Sequence, residues 1–130
     1  MSPSPRVRAS IRKKVDNLTA VLSAMLEMTE DGFDSMKKLK VQRPFRRSKL
    51  TRLRREFLVL QQGALAADNP MPDIAAGKEM AAAISQLYTQ LMDGLEAHYR
   101  SYTTKTGKEL LKVLNSMRRC FASVAREALP

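Results

Sequence analysis

Apolar residues recur along this chain at alternating intervals of three and four, in four separate stretches, and that period leaves it little choice but helix. The first series is Val7, Ile11, Val15, Leu18, Leu22 and Met25, and the second is Leu50, Leu53, Phe57, Leu60 and Ala64. The third runs Met80, Ile84, Leu87, Leu91, Leu95 and then Tyr99 or Tyr102; the fourth is Leu110, Leu114, Met117, Phe121, Val124 and Ala128. At 100° per residue each series falls on one face of a helix, whereas a strand would scatter it over both faces of a sheet. Each stripe is close to two positions in seven, which suits nearly parallel or antiparallel helix packing. No strand-like alternation and no internal repeat breaks the pattern.

Local signals set the expected boundaries. Ser4 followed by Pro5 reads as an N-cap and first helical residue. Gly32 reads as the stop of the first helix, with Phe33, Met36 and Leu39 adding a short helical piece before Pro44. Ser48 is placed to cap the second helix, and Asp68 to Pro72, with two prolines, reads as a loop. Asp73 is expected to cap the third helix. Thr106 and Glu109, at capping-box spacing, are expected to start the fourth. The expected fold is all-α: an antiparallel helical bundle of about four helices, roughly 5–30, 48–66, 73–102 and 106–128, with room for a short helix near 33–41. The chain has 130 residues, so one domain spanning 1–130 is expected, with a basic connector at 37–49.

Charge is segregated along the chain. The 23 Lys and Arg against 13 Asp and Glu give a net charge of +10. Residues 1–15 hold five basic and no acidic side chains, and residues 16–36 hold five acidic and no basic ones: Asp16, Glu27, Glu30, Asp31 and Asp34. Residues 37–55 hold ten basic and no acidic: Lys37, Lys38, Lys40, Arg43, Arg46, Arg47, Lys49, Arg52, Arg54 and Arg55. A surface shaped only for solubility mixes the signs. The block is therefore read as a nucleic-acid-binding site that grips phosphates, Arg bidentately, at a connector and a helix N-terminus that also favours anions. The competing reading is a solvated belt paired with the chain's own acidic blocks. Secondary basic contacts are expected at Arg6, Arg8, Arg12, Lys13, Lys14, Arg118 and Arg119. Only Phe45 interrupts the block, so base stacking would be minor; backbone binding leaves DNA and RNA, single and double strand, equally open.

Catalytic and metal chemistry find few parts. Cys120 and His98 are the sole cysteine and histidine, which excludes a Cys-based zinc finger and a Ser-His-Asp site. The acidic residues of the first helix lack the Glu-x-x-His partners of a di-metal bundle. Lys105-Thr106-Gly107-Lys108 lacks the upstream Gly and the following Ser or Thr of a phosphate loop. Hence neither enzyme activity, nor a cofactor, nor a metal is expected. His98 reads as a surface or boundary residue, and Cys120, beside Phe121, as a small buried apolar group. Leu58, Val59 and Leu65 lie off the second stripe, and eight methionines exceed ordinary usage, so a second surface for a protein neighbour or for self-association is expected.

No apolar run reaches the roughly 18–20 residues of a membrane span, and no signal peptide stands behind the basic N-terminus. An intracellular, reducing compartment fits. The acid-free N-terminus has presequence-like composition, but Val7 and Ile11 stay in phase with the stripe, so one continuous helix is preferred. At the level of fold class such a small basic bundle is similar to the small helical subunits of RNA-guided defence (CRISPR effector) complexes. That resemblance rests on architecture and charge; it implies a non-enzymatic subunit lining a nucleic-acid strand inside a larger ribonucleoprotein. The alternative expectation is a helical adaptor or scaffold whose basic belt docks an acidic protein surface.

Overall fold

The computed structural model describes residues 4–66 and 71–129; the side chains of residues 8, 64–66 and 71–73 lie outside that description. Its described residues form an all-α bundle of four helices: α1 (Pro5–Lys38), α2 (Arg47–Ala66), α3 (Met71–Arg100) and α4 (Lys105–Ala125). The long helices α1 and α3 pack directly on each other, and α2 and α4 each pack on both of them without meeting one another among the described residues. Gly77 of α3 faces Leu18 and Leu22, and Gly94 faces Met36, so α1 and α3 run in the same direction. Consecutive helices run antiparallel: Glu30 meets Arg54 and Asp34 meets Arg47 between α1 and α2, while Tyr88 meets Phe121 and Asp93 meets Arg118 between α3 and α4. The stripes meet in one core whose fully buried members include Leu22, Met25, Leu26, Phe33, Met36, Ile84, Leu91, Met92 and Leu114.

Close approach of α1 and α3 depends on small residues. A Cβ on Gly77 would stand 2.6 Å from Leu18 Cδ2, and one on Gly94 2.8 Å from Met36 Cε. Gly32 belongs to the same seam and does not stop α1. It is buried among Leu91 and Met92 with an ordinary helical φ, and Phe33 and Met36 behind it continue the stripe into the core. The expected break at residue 30 and separate short helix near 33–41 are thus replaced by one 34-residue helix, about 50 Å long. Its true end is a Schellman turn: Val41 N–H donates to Met36 O, Lys40 N–H donates to Lys37 O, and Lys40 takes φ 57°.

Other boundaries shift for local reasons. Helix α2 starts at Arg47, which places Ser48 inside the first turn instead of at the cap. Helix α3 starts at Met71, so Met71 and Pro72 are helical, Pro in a first turn being compatible with helix, and Asp73 is not the cap. The remainder of the expected loop, residues 67–70, lies outside the described residues. Thr104, not Thr106, caps α4 by accepting from Gly107 N–H at 3.4 Å. Gly107 is held so closely that a Cβ there would stand 2.6 Å from the Tyr102 carbonyl oxygen. Val7 is 47% exposed although it continues the first stripe, because α1 outruns the start of α3 by about two turns. Cys120 is exposed, contrary to expectation: with Leu114, Phe121 and Ala125 facing the core, residue 120 is turned 100° from Phe121 toward solvent.

Candidate nucleic-acid interface

The ten cations of residues 37–55 are brought together at one corner, where α1 ends and α2 begins. Lys37 and Lys38 occupy the last turn of α1, where positive charge favours the helix C-terminus. Lys40 holds the left-handed position that glycine takes more easily, at a cost of about 1 kcal/mol. The connector then folds over a recess of about 760 Å³ rimmed by Lys37, Lys40, Arg43, Arg46 and Arg47, with Phe45 beneath. Helix α2 begins without an acidic residue in its first turn, so its free N–H groups and its cations present the same sign.

Two aromatic rings set the geometry of the arginines. Phe33 is fully buried and stacks on Phe45 at 5.4 Å. The guanidinium carbons of Arg43 and Arg47 lie 4.9 and 5.7 Å from the same Phe33 ring centre, and Arg54 lies 5.8 Å from that of Phe57. Cation–π contact engages the face of a guanidinium and leaves its N–H edges free to donate.

The chain's own carboxylates neutralise a minority of this charge. Arg47 donates to Asp34 at 3.0 Å, with both side chains about half exposed, and Arg54 pairs with Glu30. Lys37, Lys38, Lys40, Arg43, Arg46, Lys49, Arg52 and Arg55 are all exposed and make no ion pair among the described residues. Asp31 and Glu27 stay exposed on α1. The expected internal pairing of acidic and basic blocks is therefore real but covers two of the ten cations.

The secondary basic residues divide. Arg6, Lys13 and Lys14 are exposed on the early turns of α1, Arg12 is half-buried, and the Arg8 side chain lies outside the described residues. Arg118 faces inward: it donates to Asp93 at 2.9 Å and Glu96 at 3.3 Å, locking α4 to α3 beside the Tyr88–Phe121 stack at 3.8 Å. Arg119 is exposed and donates to Ser116 Oγ. Leu58 and Val59 are 47% and 70% exposed, and the Leu65 side chain lies outside the described residues.

Three features escaped the sequence reading. The Phe33 platform joins residues ten and fourteen positions apart in sequence. The strained φ of Lys40 carries no signal in composition. The outward face of α4 is basic along its length, and the spacing of Lys105, Lys108, Lys112, Arg119 and Arg126 could have revealed it. Among the described residues no cluster of three or more His, Cys, Asp or Glu could hold a metal, and no helix is long and apolar enough to cross a membrane. His98 is engaged with Tyr102, its Nε2 lying 3.2 Å from the phenol oxygen. No protein-family model matches the chain, and no curated protein or solved structure matches it significantly.

Proposed function

We propose that the α1–α2 corner binds the phosphate backbone of nucleic acid with little base specificity, and that the protein is a non-enzymatic subunit of a larger protein–nucleic acid assembly. One observation carries this reading: eight exposed cations at one corner, surrounding a helix N-terminus, with no ion pair among the described residues. Lys40 adds to it, since a lysine is kept at a left-handed position where glycine would cost less. Backbone binding is favoured over base readout because the aromatic rings here lie beneath arginines and are not open for stacking.

The second reading is a helical adaptor whose basic corner docks an acidic protein surface; the exposed Leu58 and Val59 beside Arg55 favour it, giving such a partner an apolar contact next to the charge. Affinity for single- and double-stranded DNA and RNA, measured across a salt series, separates the two. Phosphate tracking requires binding that weakens linearly on a log–log plot as salt rises. No binding to any of the four at moderate salt would leave the adaptor standing.

A further inference from the structure

Helix α4 turns a basic ridge away from the bundle. On its helical wheel Lys105, Lys108, Lys112, Arg119 and Arg126 fall within about 60° of one another, opposite the buried Gly107, Leu114, Phe121 and Ala125. All five are exposed and none makes an ion pair among the described residues. The ridge runs about 31 Å. Serines 116 and 123 complete the stripe, and the acids that flank it, Glu109 and Glu127, form no ion pair among the described residues.

The position of this ridge matters more than its charge. Helices α2 and α4 sit on opposite flanks of the α1–α3 pair and do not touch among the described residues. Adjacent helix axes lie about 8–10 Å apart, so the outward faces of α2 and α4 are separated by roughly 25 Å. Arg52 and Arg55 point outward on α2, opposite the buried Leu50, Leu53 and Phe57. A straight strand or duplex seated on the corner therefore leaves the ridge facing away from it.

We infer that the protein is bivalent: the α1–α2 corner holds one nucleic-acid segment, the α4 ridge holds a second, and a single chain bridges the two. The inference rests on the proposed corner site and extends it. Holding one segment at the corner makes capture of a neighbouring one effectively intramolecular whenever both belong to one molecule.

Bead capture tests it with the full chain. Biotinylated duplex DNA is fixed to beads, protein is added up to the number of bound sites, and a fluorescent duplex of the same sequence is offered; a parallel series uses single-stranded RNA. Wild type is expected to retain the fluorescent strand. Changing Lys105, Lys108, Lys112 and Arg119 to Gln should leave protein on the beads through its corner but cut capture at least about tenfold, since four phosphate contacts are lost. Replacing the three lysines by Arg should preserve capture, and an unchanged melting curve shows that each variant folds. If wild type binds the beads and captures nothing, or the Gln variant captures as well as wild type, bridging by α4 is wrong while the corner site stands. If no protein is retained on either nucleic acid, the corner reading fails and the bridge with it.

Discussion

Arginine meets carboxylate between helices at two places among the described residues, and the two differ in balance. Between α3 and α4, one cation, Arg118, bridges to two acids, Asp93 and Glu96, beside stacked rings; its side chain is only 29% exposed, and Glu96 also accepts from the exposed Arg100 within α3. At the α1–α2 corner, ten cations share two ion pairs, and the Arg47 side chain in one of them is 60% exposed. The same chemistry is scaffold in the first case and surplus in the second. Charge neutralised within the chain holds helices together; charge left over at one corner is available to something outside.

Removing the surplus should give the largest effect, and it should fall on binding alone. Changing Arg46, Lys49, Arg52 and Arg55 to Ala deletes four exposed cations that make no ion pair among the described residues. The slope of log affinity against log salt should fall by roughly 3, about 0.7 per contact for single strands or 0.9 for duplex. At about 0.1 M salt that corresponds to an affinity loss on the order of a thousandfold. Melting temperature should hardly move. A variant that binds as before, or that unfolds, breaks the distinction between the two regions.

The scaffold side responds in the opposite way. Arg118→Ala removes the donor that Asp93 and Glu96 share across the helices, leaving Glu96 only its pair with Arg100 within α3, and should cost about 1–2 kcal/mol, or about 4–8 °C in melting temperature. Arg47→Ala, removing a pair screened by solvent, should cost at most about 0.5 kcal/mol. Equal losses at the two sites would mean that burial and pairing ratio do not separate them.

How far the sequence could see this division follows from which interactions are local. The four helices were legible because three-and-four spacing is a property of neighbours along the chain, and the stripe residues from Val15 to Met25 and from Met80 to Leu95 are buried as the period requires. Helix ends were less legible. Gly32 offers the same residue as a stop signal and as a packing notch, and only the approach of Met92 decides between them. The basic corner was visible as ten cations in nineteen residues, but which are neutralised was not. The Glu30–Arg54 pair spans 24 positions, and Arg118 meets its acids over 22 and 25. Cys120 was misplaced because adjacency to a buried Phe121 says nothing about a residue 100° further round the helix.

Lys40 joins the two sides of the comparison in one residue. Its φ of 57° strains the turn, so Lys40→Gly should stabilise the protein by roughly 0.5–1 kcal/mol, part of the relief being offset by the freer unfolded chain. The same change removes a cation from the rim of the recess and should lower the salt slope by up to about 0.9. Stability gained with binding lost is the expected pair of results. Stability gained with binding untouched would place Lys40 outside the interface.

The smallest effect belongs to the scaffold and appears only in alkali. Tyr88 is 3% exposed, stacks on Phe121 and donates its hydroxyl to Met117 O at 3.2 Å. Burial raises its phenol above the ordinary 10.0, charge on Cys120 pushes the same way, and Arg118 pulls against both. An unfolded chain releases the phenolic proton near pH 10 while the folded one still holds it. The contribution of Tyr88 is therefore intact below pH 10 and is lost as pH climbs from there through the higher folded value. Wild type, free of nucleic acid, should lose melting temperature more steeply above pH 10 than Tyr88→Phe does. At pH 7 the variant should give up only its hydrogen bond, about 1 kcal/mol. Tyr99, also raised by burial, remains in both proteins and sets a common background slope. Parallel curves for the two proteins above pH 10 would show that the α3–α4 seam does not hold the Tyr88 phenol in its neutral form.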